Sequence, residues 1–380
     1  MHIPFNASER SSLGVEVELE IVDRRTRQLA SAATGILAEL GAGHPGGEHP
    51  KAKHELFECT IEIITGICST VAEARGDLQA TLDQVAAAAG RRGLALLCSG
   101  THPTSDWQDQ QISPDPRYAR LVEEMQWLAR RMLIFGVHFH VGVRSAEKSI
   151  AIANALTAYI PHFLALSASS PYWHGRDTGL ASSRSKVFEN LPTAGLPYRL
   201  DDWQEFEEFM DTLVTAKAIT SIREVWWDIR PHPDFGTVEL RICDGIPTLS
   251  EVAGLAALAQ SLVEWLDTRI DRGETLPVPK EWVLRVDKWR AARYGTDADI
   301  IGDDQGTRVP LRQSVSELVA QLSPVAARLG CHDELASVLA MLEAGPSYLR
   351  QRRIVAAGGS LADVVDALVE EMVTGQPRVP

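Results

Sequence analysis

Apolar and polar residues alternate along several short stretches in the first two-thirds of the chain, a period of two that predicts β-strands. In the stretch 14–20, GVEVELE, apolar side chains occupy one face of the predicted strand and acidic side chains occupy the other. These acidic residues are Glu16, Glu18 and Glu20. Like charges in a row repel and glutamate is a poor strand former, so this face requires an explanation.

The same kind of pattern predicts the order of the other elements. Strands are predicted over 13–22, 57–66, 94–100, 133–143, 223–230 and 237–243. A capping box of Thr70 and Glu73 predicts a helix that runs to Ala89. Further helices are predicted from Asp115 and Pro116 onward, over 145–168, over 201–217 and over most of 249–380. The segment 169–197 has no convincing period, which is typical of a binding loop or lid.

Strands therefore concentrate in the first two-thirds of the chain, and helices dominate the last third. This distribution favours an α+β fold, in which helices cover an antiparallel or mixed sheet, over strict alternation of strands and helices. We expect a single domain over 1–380, in which a mainly helical part over 248–380 packs on a sheet-bearing core over 1–247.

Composition and charge narrow the classes of function. The 380 residues are 45% apolar and 23% charged, as in a globular protein, and the formal charge of −14 argues against nonspecific binding to nucleic acid or an anionic membrane. No apolar run reaches the roughly 18 residues that span a bilayer, and the N-terminus lacks the pattern of a signal peptide. The five scattered cysteines predict reduced thiols and a cytoplasmic protein.

Four predicted strands each carry ionisable side chains on one face. They are Glu16, Glu18 and Glu20 on the first, Glu58 and Glu62 on the second, His138 and His140 on the fourth, and Glu239 and Arg241 on the last, with Glu55 directly before the second. If these faces converge, so many carboxylates need compensating positive charge. Oxygen ligands with one or two imidazoles suit Mg²⁺ or Mn²⁺ better than zinc, and such ions neutralise a nucleotide triphosphate.

Several of these residues have a plain structural alternative. An acidic strand face is often simply solvated, and an isolated pair of histidines is weak evidence for a ligand site. Glu20, Glu58 and His140 are therefore left open, and Glu55 has the wrong parity to share the face of Glu62 on a regular strand.

Basic residues could supply the positive charge that the acidic faces require. Arg184 and Lys186 lie in the irregular segment, Arg230 ends a predicted strand, and Arg241 follows Glu239 on the acidic face. Guanidinium groups match phosphate and carboxylate oxygens. No Walker-type phosphate loop occurs, so a bound nucleotide would be held on the sheet.

Five motifs, in this order, resemble the glutamate–cysteine ligase type 2 family of carboxylate–amine ligases. They are GVEVELE, HELFECTIEIITG, GVHFHVG, SSRSKVFENLPTAGLP and WWDIRPHPDFGTVELRICD. The resemblance implies a glutamine-synthetase-like fold, with a curved, mainly antiparallel sheet that binds ATP, divalent metal and small-molecule substrates on its concave face. It also implies that ATP phosphorylates a carboxylate, that an amine attacks the acyl phosphate, and that an amide forms.

The resemblance also indicates roles for individual residues. The implied ligands of Mg²⁺ or Mn²⁺ are Glu16, Glu18, Glu55, Glu62, His138 and Glu239. We expect Arg241 and Arg230 to act in catalysis, and Arg184, Lys186 and Arg241 to bind the nucleotide. The resemblance also suggests a homodimer.

The physiological substrates do not follow from these motifs. The first hypothesis is ligation of glutamate to cysteine, or of another acid and amine. A metal-dependent hydrolase that uses the two histidines and the glutamates is the alternative enzyme class, and it predicts tight zinc binding and activity without ATP. A nucleotide or amino-acid sensor without turnover is the third hypothesis.

Overall fold

Within residues 2–378, which the computed structural model describes, the chain forms thirteen β-strands and fourteen α-helices. The strands are β1 (Leu13–Asp23), β2 (Ala52–His54), β3 (Thr60–Ile64), β4 (Leu94–Leu97), β5 (Val137–Gly142), β6 (Tyr172–Trp173), β7 (Arg176–Asp177), β8 (Ala194–Gly195), β9 (Trp226–Trp227), β10 (Ile229–His232), β11 (Thr237–Leu240), β12 (Asp299–Ile301) and β13 (Arg308–Pro310). The helices are α1 (Ala33–Gly41), α2 (Val71–Gly90), α3 (Pro116–Met125), α4 (Trp127–Arg130), α5 (Ala146–Leu156), α6 (Ile160–Ser167), α7 (Arg184–Phe188), α8 (Trp203–Thr215), α9 (Leu249–Asp271), α10 (Glu281–Tyr294), α11 (Leu311–Leu329), α12 (His332–Ala344), α13 (Ser347–Ala356) and α14 (Leu361–Thr374).

One sheet organises the molecule. Its strands follow the order β10, β11, β5, β1, β3, β2, and all neighbours are antiparallel. The long strand β1 pairs with β3 on one edge, while its other edge pairs first with β5 and then, from Glu20 onward, with β4. The predicted α+β class and the mainly antiparallel sheet are confirmed.

The apolar face of the sheet forms the core. Val15, Val17 and Leu19 of β1 are at most 1% exposed and belong to one hydrophobic cluster with side chains of α2 and α9. Helix α9 is buried on nearly all sides because it lies between the sheet and the C-terminal helices α11 and α12. The opposite face of β1 carries glutamates, so burying the alternate apolar residues directs these acids away from the helices.

Capping residues set the starts of two helices as predicted. The Thr70 hydroxyl accepts a hydrogen bond from the backbone of Glu73 at 3.2 Å, and the Glu73 carboxylate accepts one from the backbone of Thr70 at 3.3 Å. Asp115 caps α3, whose first residue is Pro116. Each such cap stabilises its helix by about 1 kcal/mol.

The helix predicted over 145–168 is interrupted because Pro161 cannot donate a backbone hydrogen bond, and a 3₁₀ turn joins α5 to α6. By length and composition the combined stretch Ala146–Ser167 could cross a membrane, unlike the sequence expectation of no such run. Its most apolar window is 78% buried inside the protein, as a core helix would be.

Two details differ from the expectations that the sequence gives. The strand predicted over 223–230 begins with a 3₁₀ turn at 222–224, and the sheet strand is β10 instead. The hairpin of β12 and β13 interrupts the helical last third. In the basic stretch 350–353, Arg350 is buried and pairs with Glu251 and Glu371, which lie far away along the chain.

Candidate active site

The polar face of the sheet forms the floor of a cavity of about 370 Å³. Antiparallel register places side chains from neighbouring strands side by side: Glu18 of β1 faces Glu62 of β3, and Glu16 faces His138 of β5. On β11, Glu239 pairs with His140. The strand faces that carry ionisable groups therefore converge, as the sequence analysis required.

Within the described residues, three groups of side chains have ligand atoms that lie close together, and two of them are candidate cation sites. In one group, ligand atoms of Glu16, Glu62 and His138 all lie within 4.8 Å of one another, and in the other the same holds for Glu18, Glu55 and Glu62. Glu62 belongs to both groups. Glu55 joins them because it follows β2 in a loop, where the parity of a strand does not apply.

The electrostatics of this floor suit a bound divalent cation. Burial and the neighbouring Glu55 raise the pKa of Glu18 to about 8, and burial with Glu16 raises the pKa of Glu62 well above its usual value. For Glu16, burial opposes ionisation, but His140 and His138 overcome it and hold the pKa well below its usual value. Carboxylates that repel one another in this way gain from a divalent ion.

His138 adds a free ligand atom to this floor. Burial, with Arg241 nearby, lowers the pKa of His138 to about 4, so its imidazole is neutral at pH 7. Nδ1 contacts the Glu16 carboxylate at 3.1 Å, while the buried Nε2 has no hydrogen-bond partner within the described residues. With Nδ1 donating to Glu16, the Nε2 lone pair is available to a metal ion. The residues present fit Mg²⁺ or Mn²⁺.

These pKa values predict that the metal-free protein loses stability as the pH rises from 6.5 to 8. Over this range the folded state still holds protons on Glu18 and Glu62 that the unfolded chain has already released at its ordinary pKa of 4.5. The folded state therefore binds more protons, and the free energy of unfolding falls with pH. Below 6.5 the buried neutral His138 acts in the opposite direction, because only the unfolded histidine becomes charged there.

Thermal unfolding with EDTA, and again with saturating Mg²⁺, measures this effect. We expect the melting temperature to fall between pH 6.5 and 8 in EDTA, and to fall less in Mg²⁺, since a bound ion keeps the carboxylates ionised in the folded state. If the melting temperature falls equally with pH in EDTA and in Mg²⁺, there is no cation site at Glu18 and Glu62.

Two arginines hold Glu239 between them. Arg230 is buried and donates to one Glu239 oxygen from Nε at 2.9 Å and from Nη2 at 2.6 Å, and its Nη1 donates to two backbone carbonyls. Arg241 contacts the other oxygen. Burial opposes ionisation of Glu239, but Arg230 and Arg241 overcome it and hold its pKa well below its usual value. Glu239 is thus already neutralised by protein side chains.

The Nε atoms of Arg241 and of Arg184 are buried without a hydrogen-bond partner within residues 2–378. Both arginines line the cavity. Arg184 also donates weakly to the backbone carbonyls of Arg241 and Ile242 at 3.4 Å. The structure does not bring Lys186 into the cavity lining, because its ammonium bonds Glu189 at 2.9 Å instead.

Comparison with known proteins gives the family. The sequence model of glutamate-cysteine ligase family 2 matches residues 12–367, nearly the whole chain. The chain belongs to glutamate–cysteine ligase family 2. The expected family and the expected class of enzyme, a ligase, are confirmed, and this class replaces the metal-dependent hydrolase that the sequence had left open.

Relatives and solved structures agree with this family 2 assignment. A putative glutamate–cysteine ligase 2-1 of Frankia casuarinae is 60% identical over 380 residues, and the alignment covers 100% of both chains. A putative glutamate–cysteine ligase 2 of Thermobifida fusca is 56% identical, with all of this chain and 95% of the relative covered. The crystal structure of the Francisella tularensis glutamate–cysteine ligase in complex with AMP has a TM-score of 0.70 at 13% identity, covering 99% of this chain and 91% of that one. The predicted fold is thereby confirmed.

The cavity includes residues to which the sequence motifs assign no role. His140 lines it, whereas Glu20 and Glu58 do not: Glu20 accepts hydrogen bonds from Ser99, and Glu58 accepts them from Thr34. The lining also contains Arg117, Arg120, Arg223, Trp226 and His232. Arg117 and Arg120 belong to α3, whose start the sequence predicts at Asp115 and Pro116. The helical period does not show that this helix covers a cavity formed by distant segments.

Proposed function

We propose that the protein is an ATP-dependent carboxylate–amine ligase that joins glutamate to cysteine through an acyl phosphate. The observation that carries this proposal is one cavity in which two candidate cation groups share Glu62 and face the buried guanidinium groups of Arg184 and Arg241. Acidic ligands for cations beside arginines are what phosphoryl transfer requires. The Francisella tularensis enzyme of similar fold was crystallised in complex with AMP, which supports an adenine nucleotide as a ligand of this protein.

Five residues would hold Mg²⁺ or Mn²⁺: Glu16, Glu18, Glu55, Glu62 and His138. When bound, the ions offset the charge of the polyphosphate and polarise the transferred phosphoryl group. Glu239 also lies within 4.8 Å of Glu16 and His140, but both of its oxygens already contact arginines. We therefore assign Glu239 to the positioning of Arg241 rather than to a metal.

Arg241 and Arg184 act on the reacting groups. A carboxylate oxygen of the acid attacks the γ-phosphorus and ADP leaves; the amine then attacks the acyl carbon, loses a proton, and phosphate leaves. Arg241 and Arg184 line the cavity, and each has a buried Nε donor without a partner within residues 2–378. Their guanidinium groups stabilise the charge on the transferred phosphoryl oxygens. Arg230 has its donors occupied by Glu239 and by two carbonyls, so we assign it an indirect role that fixes Glu239.

All five cysteines, Cys59, Cys68, Cys98, Cys243 and Cys331, are free and buried. Free thiols persist where the surroundings are reducing. This supports a cytoplasmic location, where ATP and free amino acids are also available.

ADP release by the purified protein with ATP and Mg²⁺ tests the proposed function. We expect ADP only when an acid and an amine are both present, first with glutamate and cysteine and then with a panel of other acids and amines. The dipeptide-like product should appear in equal amount to ADP, measured by mass spectrometry. ADP release that does not depend on the amine, or no release with any pair, would contradict an amide ligase.

A further inference from the structure

A buried ionic cluster lies behind the cavity and outside its lining. Lys288 of α10 is 2% exposed, and its ammonium contacts the carboxylate of Asp228 at 2.5 Å and that of Glu189 at 2.6 Å. Glu189 also bonds Lys186 at 2.9 Å, so two lysines balance two carboxylates. Lys288 comes from the helical last third of the chain, and no sequence motif points to it.

The partners of Lys288 belong to the segments that present the two cavity arginines. Glu189 directly follows α7, the short helix that begins with Arg184. Asp228 lies between β9 and β10, and its backbone carbonyl accepts a hydrogen bond from the backbone N–H of Arg241 at 2.8 Å. The Asp228 N–H in turn donates to the carbonyl of Gly195 at 2.7 Å. One ammonium group thus joins the chain around Arg184 to the chain around Arg241.

Stability alone is a weak reason for such a cluster. Removing charges from water costs several kcal/mol per ion, and well-packed neutral side chains often replace a buried ion pair without loss of stability. What an ion pair adds over an apolar contact is a fixed direction between the groups that it joins. Here the ion pairs fix the relative orientation of two segments, one that carries Arg184 and one that is hydrogen-bonded to the backbone of Arg241.

We propose that Lys288 is a positioning residue that holds Arg184 and Arg241 in register for phosphoryl transfer. This proposal rests on the proposed function. Small displacements of preorganised groups are costly in an active site, and loss of a supporting contact typically lowers affinity or activity by about 10- to 100-fold. Lys288 itself does not line the cavity, so its effect is indirect.

The test compares two neutral replacements of buried ionic clusters. Asp228→Asn with Lys288→Met removes one charge of each sign and leaves Glu189 paired with Lys186. The control is Glu251→Gln with Arg350→Met and Glu371→Gln, which neutralises the equally buried cluster away from the cavity. Both are assayed below their melting temperatures for kcat, for KM of ATP, and for the Kd of Mg–ATP by titration calorimetry.

We expect the Asp228–Lys288 variant to bind Mg–ATP about 10-fold more weakly and to lose 10- to 100-fold in kcat, whereas the control keeps wild-type values. Wild-type Kd and kcat in the Asp228–Lys288 variant would overturn the role of Lys288. If this variant does not fold, Glu189→Gln decides, because Glu189 is 30% exposed and its loss leaves Lys288 paired with Asp228. We expect a several-fold loss of kcat at unchanged melting temperature, and no loss would overturn the proposal.

The wild-type protein separates this proposal from the proposed function. If it neither binds Mg–ATP nor releases ADP, the proposed function fails and the role of Lys288 fails with it. If it is active, the variants alone decide.

Discussion

Glu62→Gln should abolish most turnover while making the metal-free protein more stable above neutral pH. Glu62 is shared by both candidate cation groups. Burial and the charges of Glu16, Glu55 and Glu18 raise its pKa well above its usual value. Glutamine keeps the shape of the side chain and removes its charge. That charge destabilises the metal-free protein, but it is needed to bind the cation.

We expect kcat to fall roughly 100- to 1,000-fold, the loss typical of removing one preorganised electrostatic group from an active site. Binding of Mn²⁺ by calorimetry should weaken in parallel, and the melting temperature in EDTA at pH 8 should rise above that of the wild type. A substitution that raises stability but lowers activity identifies a carboxylate that serves function, because loss of a structural carboxylate would lower stability.

Glu58→Gln is the matched control for Glu62→Gln. Glu58 lies four residues earlier, outside the cavity, where its oxygens accept hydrogen bonds from Thr34. We expect wild-type kcat and Mn²⁺ binding from this variant. If Glu62→Gln keeps at least half of the wild-type kcat, Glu62 is not a metal ligand.

Arg241→Lys should reduce kcat by roughly 100- to 1,000-fold with little change in stability. A lysine keeps one positive charge for the Glu239 oxygen that Arg241 contacts, so Glu239 stays ionised and paired. It removes the Nε donor, which has no partner within the described residues and lies in the cavity wall. The KM for ATP and kcat report the effect on catalysis, and the melting temperature reports the effect on stability.

Arg230→Lys is the contrasting variant on the neighbouring strand. Arg230 uses Nε and Nη2 for Glu239 and Nη1 for the carbonyls of Ile222 and Val225, and one ammonium cannot replace all of these contacts. Each buried polar group left without a partner costs about 1–3 kcal/mol, so we expect a clear fall in melting temperature. If Arg230→Lys and Arg241→Lys change kcat and the melting temperature by the same amounts, the assignment of an indirect role to Arg230 and a direct role to Arg241 is wrong.

The alternation of residues along a strand is enough to show which side chains share a face. Period-two alternation in GVEVELE and in TVELRIC placed Glu16 with Glu18 and Glu239 with Arg241, because successive side chains of a strand must point to opposite sides. The structure brings these residues into one cavity. The helix start at Thr70 was equally readable, since a cap involves neighbours only three residues apart.

Which of the acids reach the cavity depends on how the strands pair in the folded protein. Glu20 has the same parity as Glu16 and Glu18, but from Glu20 onward β1 pairs with β4 rather than β5. That change of neighbour encloses Glu20 beside Ser99, which donates to it from both its backbone and its hydroxyl group. No local pattern encodes which strand lies alongside.

The same limit applies to the arginines and to Lys288. Arg184 and Lys186 are two residues apart in one motif, yet Arg184 lines the cavity while Lys186 bonds Glu189. Lys288 reaches Asp228 from 60 residues away. Sequence fixes local geometry because backbone periods are short-range, whereas burial and charge pairing depend on which distant segments the packed core brings together.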